Sequence, residues 1–324
     1  MKIIIYLFTF TLIFGQKILI PMDQTQNDHL KAYGITYWVL TKQQKVQWLL
    51  NYRGGSFLLP DGEVIRKECQ IRGVSYEIVS DAQAEAILDE ISSPSRNQDA
   101  VILEKAPKIA VYSPKDNQPW DDAVTMVLTY AEIPYTTIYD TEVLGDKLAL
   151  YDWLHLHHED FTGQYGKFYR SHRNSKWYKD QKKQFEDMAF KLGYSSVHEH
   201  KKGIAKTIKN YVKNGGFLFA MCSATDSYDI ALAMNNLDGV HAVYDGTPVH
   251  PEIQSQLDYS QCFAFENFKI IPDPMIYEFS DIDFPPSHNP ITKGAKADYF
   301  TLFEFSAKYD PVPTMLIQNH VPII

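Results

Sequence analysis

Cys222 is the residue of this chain that points most directly to chemistry. It follows the apolar stretch 217–221, which predicts a buried strand, and a helix-like pattern comes directly after it. A nucleophile on a sharp turn from strand to helix needs small residues two positions away on either side, and Ala220 and Ala224 occupy those places. The start of a helix favours a thiolate, and its amides can bind a developing oxyanion. This pattern predicts that Cys222 is a nucleophile.

A structural role is the alternative for Cys222, because a free cysteine at the end of an apolar strand often serves as a small hydrophobic residue of the core. Two acidic residues, Asp226 and Asp229, also follow it. Their negative charge would oppose a thiolate and offset the helix dipole. A reactive Cys222 therefore needs a cation or a histidine close by.

A histidine-rich segment supplies candidate partners for the thiol. His155 and His157 alternate with leucines, so in a strand they point to one face, and His158, Glu159 and Asp160 begin the loop that follows. Imidazoles and carboxylates this close together could hold a divalent metal, supply a base with its orienting acid, or simply be hydrogen-bonded at a strand end. We predict that His157 or His158 is the base and that Glu159 supports it, with no bound metal or other cofactor.

Segment 165–183 interleaves aromatic residues with lysines and arginines. Such a stretch could hold an anionic or sugar ligand by stacking and charge, although a solvated helix face with its loop is the alternative. From this segment we predict Arg173 and Trp177 as substrate-binding residues. Asp160 and Thr225, on either side of the expected crevice, complete that predicted set.

Composition bounds the class of protein. The chain has 324 residues, of which 45% are hydrophobic and 14% aromatic, which is enough for a large core and more than one domain. The net charge of −9 argues against nucleic-acid binding, because phosphate contacts need a basic face. A basic start and an apolar run over residues 3–14 predict a secretory leader at 1–16, and hence a periplasmic, envelope or extracellular protein with no later membrane span.

The three cysteines, Cys69, Cys222 and Cys262, cannot all pair within one chain. At least one thiol is therefore unpaired. A disulfide between Cys69 and Cys262 is possible, but sequence alone does not show whether their Cα atoms come within bonding range.

Strand-like runs alternate with helix-like patterns, which favours an α/β fold with a doubly wound, mostly parallel sheet. We expect a smaller N-terminal α/β region over 17–104 and a larger α/β domain over 105–324, truncated at its C-terminus because no closing helix precedes Ile324. Reactive groups gather outside the carboxyl ends of parallel strands. Cys222 and the histidine segment 155–160 both follow predicted strands, so we expect them to share one crevice. The predicted strands are 17–22, 46–50, 74–79, 100–103, 108–112, 135–139, 151–157 and 217–222, with a further strand at 314–317.

The element order over 108–233 and the segment Ala-Met-Cys-Ser-Ala at 220–224 resemble the class I glutamine amidotransferase-like superfamily, which has a flavodoxin-like sheet. The resemblance implies that Cys222 attacks a side-chain amide, forms a thioester and releases ammonia. It also implies that the Ser223 amide is part of the oxyanion hole.

The full-length pattern, including KILIPMD, WLLNYRGGSFLLPD and GGFLFAMCSATD, is also similar to exported bacterial proteins commonly labelled asparagine synthetase B. The chain has no Ser-Gly-Gly-x-Asp-Ser loop for ATP, so its motifs do not support synthesis itself. We therefore expect an exported amidohydrolase acting on a small amide, with His320 as another candidate base. The alternative is a catalytically silent envelope module that binds a glycan or a partner protein through the same crevice. The sequence does not indicate the oligomeric state.

Overall fold

The computed structural model describes residues 15–114, 123–283 and 307–308. Its contacts divide the chain into two compact units, and each is described by itself. The first unit comprises the described residues of Met1–Ala106, Met126–Ile133 and Phe300–Pro311, and the second those of Pro107–Thr125 and Pro134–Tyr299. Most of the predicted leader, the predicted strand 314–317 and His320 lie outside the described residues.

The described residues of the first unit form five strands and three complete helices. The strands are β1 (Gln16–Ile20), β2 (Val46–Leu50), β3 (Phe57–Pro60), β4 (Glu77–Ser80) and β5 (Asp99–Leu103). The helices are α1 (His29–Thr41), α2 (Glu63–Arg72) and α3 (Asp81–Ser92). Segment 53–56 lies in the turn between β2 and β3.

The strands of the first unit lie in the order β4-β1-β3-β2-β5, and every neighbouring pair is antiparallel. From β1 to β4 the chain follows the β-α-β-β-α-β course of a split βαβ unit, in which a helix connects two parallel strands that have another strand between them. The α/β class is as predicted. The βαβ pattern read from the sequence does not give a parallel sheet here, because β3 inserts between β1 and β2.

Alternation along β1 places side chains in two separate cores of this sheet. Ile18 and Ile20 pack in one core with buried residues of α1 and α2, and Cys69 belongs to that core. Leu19 points to the opposite face and packs with Ile91 of α3. Successive side chains of a strand face opposite ways, so α3 covers the face that α1 and α2 leave open.

The second unit carries a parallel sheet and the helices around it. Its strands are β6 (Ile109–Tyr112), β7 (Tyr135–Ile138), β8 (Trp153–Leu156) and β9 (Phe217–Ala220). Its helices are α5 (Asp140–Leu144), α6 (Tyr169–His172), α7 (Lys176–Lys191), α8 (Val197–Lys213), α9 (Ser223–Met234) and α10 (Ala242–Asp245), and α4 (Ala123–Tyr130) crosses the boundary between the units. Short 3₁₀ helices occur at Lys147–Leu150, Tyr165–Lys167, Ile253–Gln256 and Tyr259–Gln261.

The four strands of this sheet lie in the order β7-β6-β8-β9 and are all parallel. Their carboxyl ends therefore meet at one edge of the sheet. Helices α8 and α9 cover one face, where Ile204, Ile208 and Ala231 pack with Leu154 and Leu156 of β8. The predicted parallel sheet is confirmed for these four strands.

Strand β9 differs from the buried strand predicted for residues 217–221. Phe217 and Phe219 are 61% and 45% exposed. The physical reason is position, because β9 pairs only with β8 among the described strands and so lies at an edge of the described sheet. Within the described ranges, no helix is both long enough and apolar enough to cross a bilayer.

All three cysteines are free thiols, so the disulfide considered between Cys69 and Cys262 is not formed. Cys69 is enclosed in the core of the first unit, where burial raises the pKa of its thiol to about 11. Burial likewise raises the pKa of Cys262 to about 12, and its Sγ lies 3.4 Å from the carbonyl oxygen of Asp229. Cys222 alone is exposed.

Candidate functional site

A cavity of about 330 Å³ lies at the carboxyl ends of the parallel strands. Each strand is followed by a residue that lines it: Ser113 after β6, Tyr139 after β7, His157 after β8 and Cys222 after β9. Crevices of parallel sheets form at this edge because the connecting loops begin there. The cavity therefore brings the predicted nucleophile and the predicted histidines to one place.

Cys222 adopts an unusual backbone conformation, with φ 51° and ψ −139°. Positive φ crowds the Cβ of a residue other than glycine, and such conformations cost about 1–3 kcal/mol and persist only where the surroundings impose them. The surroundings here are the end of β9 and the start of α9. Ala224 is fully buried beneath the turn, which explains why a small residue stands two positions after the cysteine.

Backbone hydrogen bonds fix this turn against the neighbouring strand. The Ala224 amide donates to the His157 carbonyl at 3.2 Å, which ties α9 to the loop after β8. The Thr225 amide and hydroxyl both bind the carbonyl of Cys222, at 3.1 and 2.7 Å. Ser223 lines the cavity beside Cys222, and its amide belongs to the first turn, where amides have no acceptor within the helix.

Two histidines line the cavity with the thiol. The ring centroids of His157 and His158 are 3.6 Å apart, and His158 is the more exposed. His155, which the sequence places on the same strand face as His157, is buried and stacks on Phe219 at 5.6 Å. His155 is therefore packed within the sheet and does not line the cavity, whereas the two histidines that follow β8 do.

The carboxylates of this loop organise its backbone. Glu159 accepts a hydrogen bond from the His157 amide at 2.6 Å. Asp160 binds the Thr162 amide and hydroxyl at 2.7 and 2.6 Å and the Gly166 amide at 2.9 Å. Both side chains line the cavity, and these hydrogen bonds hold the loop that carries the histidines.

Three of the predicted binding residues lie outside the lining of the cavity. Arg173 is exposed, and its guanidinium donates to the Arg170 carbonyl and lies over the Tyr169 ring. Trp177 packs against Phe168 and His172. Neither residue, nor Thr225, is among the described residues that line the cavity. Phe168 does line it, so segment 165–183 reaches the site through a different aromatic side chain.

Burial reduces the negative charge of the Asp226 carboxyl, which follows Cys222 in the first turn of α9. Burial, with smaller contributions from the charges of Asp283 and Asp160, raises the pKa of Asp226 to about 8. At neutral pH this carboxyl is largely protonated. The Asp229 carboxylate instead accepts amide hydrogen bonds from residues 263–265, at 2.8 to 3.0 Å. The opposition to a thiolate expected from Asp226 is therefore reduced.

A buried lysine, Lys201, also forms part of the cavity wall. The sequence analysis did not predict it as a site residue. Lys201 Nζ has three protons to donate and lies within hydrogen-bond distance of four oxygens: both oxygens of Asp140, at 2.9 and 3.0 Å, and the hydroxyls of Tyr112 and Tyr139, at 3.0 and 3.2 Å. Burial alone would lower the pKa of Lys201, but the charge of Asp140 and these hydrogen bonds raise it. The available signal was its position on the apolar face of α8, three residues before Ile204.

Aromatic side chains make up most of the remaining wall. They are Tyr139, Tyr165, Phe168, Phe185, Tyr277 and Phe279. Binding sites lined in this way bury apolar surface and fix a ligand with a few polar groups. The aromatic rings of the wall come from six separate positions between residues 139 and 279, so no local sequence pattern indicates the set.

Comparison of the chain with protein-family models, with curated proteins and with solved structures found no match. The interpretation of the cavity therefore depends on its own geometry.

Proposed function

We propose that this protein is a thiol amidohydrolase that uses Cys222 as its nucleophile. The observation that carries the proposal is the conformation of Cys222: an exposed thiol at positive φ, on a turn from strand to helix, facing a cavity that two histidines also line. Strained backbone that the surroundings impose is concentrated at functional sites. A cysteine that only filled space would not need this conformation.

The proposed reaction has two steps. Cys222 Sγ attacks the carbonyl carbon of an amide or ester, and the thiol proton passes to His157 or His158. The bond to the leaving nitrogen or oxygen breaks as that atom takes the proton, which leaves a thioester on Cys222. Water then attacks the thioester, releasing a carboxylic acid and restoring the thiol. The Ser223 amide is the proposed donor to the oxyanion in both steps.

Covalent labelling of the folded chain tests the nucleophile. At pH 7 we expect one equivalent of iodoacetamide to modify Cys222, located by peptide mass spectrometry, and p-nitrophenyl acetate to give a burst of one equivalent. Cys222→Ser should abolish both signals. His157→Ala or His158→Ala should slow the burst at least about tenfold, because proton transfer by a positioned base contributes about 10²-fold or more.

His250→Ala is the matched control, because this half-buried histidine binds the Glu252 amide and is not among the described residues lining the cavity. It should leave both rates unchanged. A thiol that reacts only after unfolding, or a burst that survives Cys222→Ser, would remove the proposal.

The aromatic wall favours a second candidate function, a silent module that binds a glycan in the same cavity. Sugar rings stack on aromatic faces, and the carboxylates of Glu159 and Asp160 could accept hydroxyl hydrogen bonds. In that case Cys222→Ser should leave binding to a glycan array intact, and Phe168→Ala should weaken it. Retained binding without any acyl transfer would favour this candidate over the hydrolase.

The family resemblance belongs to the same proposal. The order β7-β6-β8-β9 corresponds to the first four positions of a 2-1-3-4-5 sheet, which supports a flavodoxin-like domain related to class I glutamine amidotransferases. Export to the periplasm or cell surface likewise remains proposed. Fractionation of the native host, with an antibody to this chain, would test the location.

A further inference from the structure

A second group of chemistry-bearing side chains lies at the start of α8 and near α10. His198, Asp238 and Asp245 each place one ligand atom within 4.8 Å of the others. His198 Nε2 is 3.3 Å from Asp245 Oδ2 and 4.0 Å from Asp238 Oδ1. Two ligands bound to a tetrahedral zinc ion at 2.0–2.1 Å lie about 3.3 Å apart, so the separations need only small adjustments to enclose an ion.

The imidazole of His198 is buried, and one of its nitrogens has no hydrogen-bond partner among the described residues. The residue is 5% exposed, and the nitrogen without a partner is Nδ1. Glu199 Oε1 lies 3.6 Å from Nδ1, beyond hydrogen-bond distance but on the side of the ring where a carboxylate commonly orients a metal-binding histidine.

The two carboxylates are held together by a shared donor. The Thr247 hydroxyl has one proton to donate and lies 2.6 Å from Asp238 Oδ2 and 2.9 Å from Asp245 Oδ2. Amides of Val240 and Thr247 orient the other carboxylate oxygens, at 3.1 and 3.0 Å. Two carboxylates beside one imidazole concentrate negative charge that a cation would compensate.

The nearest cation is already paired. Lys202 Nζ donates to the Leu237 carbonyl at 2.9 Å and forms an ion pair with Glu199 at 2.6 Å. Its charge is therefore compensated by the carboxylate that faces the far side of the His198 ring. That pairing leaves Asp238 and Asp245 as the acidic side chains on the Nε2 side.

We propose that His198, Asp238 and Asp245 bind a divalent transition metal ion, with zinc as the preferred ion. One imidazole and two carboxylates suit zinc and manganese, and zinc binds such mixed ligands more tightly. Three protein ligands leave a coordination position for water. Asp238 is the most exposed of the three side chains, so that position lies on its side of the site.

This ion would also stabilise the wall of the cavity. Gly163 lies so close to His198 that an added Cβ would be 2.7 Å from the His198 Cα. Gly163 and Val197, the neighbour of His198, both line the cavity. Metal binding would join the start of α8 to residues 238–245 and so fix the position of that wall. The inference does not depend on any reaction at Cys222.

Metal titration of the full chain tests the site. After treatment with EDTA and dialysis, we expect one equivalent of Zn²⁺ per chain by calorimetry and by elemental analysis, with a raised melting temperature. His198→Ala and Asp245→Asn should each weaken the affinity at least about tenfold. Co²⁺ in place of zinc should give the visible absorption of a tetrahedral site, and His198→Ala should lose it.

Two controls separate this site from other histidines and thiols. His172→Ala removes an imidazole that packs on Trp177, and Cys222→Ser removes the exposed thiol, and both should retain one equivalent of zinc. Asp238→Asn, at the most exposed ligand, repeats the test if the other variants fail to fold by circular dichroism. Absence of stoichiometric binding, or binding that follows Cys222 and ignores all three ligands, would overturn the proposal.

Discussion

Asp226 offers a sharp test of the electrostatics beside the proposed nucleophile. Its carboxyl is buried in the first turn of α9, and Oδ1 accepts the amide of Ser227 at 2.8 Å. Asp226→Asn keeps the size of the side chain and that acceptor but removes the titrating group. The substitution therefore isolates the cost of placing a negative charge at this position.

The magnitude follows from the shift in pKa. An aspartate in the unfolded chain releases its proton near pH 3.8, whereas burial raises the pKa of Asp226 to about 8 in the folded protein. Between these values the folded state holds a proton that the unfolded state has released, so the free energy of unfolding falls as pH rises. At about 1.4 kcal/mol for each pKa unit, the loss between pH 5 and pH 8 is about 4 kcal/mol.

Urea unfolding at pH 5 and pH 8, followed by tryptophan fluorescence, measures this loss. We expect the wild type to lose about 4 kcal/mol more than Asp226→Asn across the range, and Asp226→Asn to be the more stable protein at pH 8. Asp187→Asn is the control, because Asp187 is exposed and paired with Lys183 on α7. It should follow the wild-type pH dependence. Parallel pH profiles for the wild type and Asp226→Asn would refute the reasoning.

Three further substitutions test the described geometry. Cys222→Gly should be about 1 kcal/mol more stable to urea than Cys222→Ala, because glycine adopts positive φ without strain; equal stability would show that the turn is unstrained. Lys201→Met should lower the free energy of unfolding by about 3–5 kcal/mol by leaving Asp140 charged and buried, while adding Asp140→Leu should restore part of that loss, with thermal unfolding as the measurement. Gly163→Ala should lower the free energy of unfolding by about 2 kcal/mol, because the added Cβ would collide with His198 and because Gly163 has a φ of 84°, which alanine rarely adopts. An unchanged melting temperature would contradict this contact.

Local signals predicted most of the described strands, but β3 (Phe57–Pro60) was not among the predicted ones. The run at 46–50 coincides with β2. The structure adds a capping box at the start of α3, in which Ser80 and Gln83 bind each other's backbone amides. The sheet of the first unit could not be read in the same way. Strand β1 pairs with β3 and β4, which are distant in sequence, and strand order depends on tertiary packing that periodicity does not report.

The residues of the candidate site likewise fall into two groups: those that local sequence indicates and those that depend on tertiary contacts. The elbow at Cys222 depends on small residues within two positions of it, so the sequence indicated it directly. The pair of Lys201 with Asp140 joins helices α8 and α5, and Tyr277 and Phe279 reach the cavity from an irregular segment. Contacts of this kind depend on the folded backbone, which is why Arg173 and Trp177 were predicted in place of Phe168.

The unequal exposure of the three thiols has a practical consequence for handling the protein. Cys69 is buried and Cys262 is half-buried, whereas Cys222 is exposed to dissolved oxygen and peroxide. An accessible thiol can oxidise to a sulfenic acid or form a disulfide that links two molecules, and both products are reversed by a reducing agent. In preparations stored without a reductant, Cys222 would therefore oxidise before the other two thiols, and the labelling test of the proposed nucleophile needs freshly reduced protein.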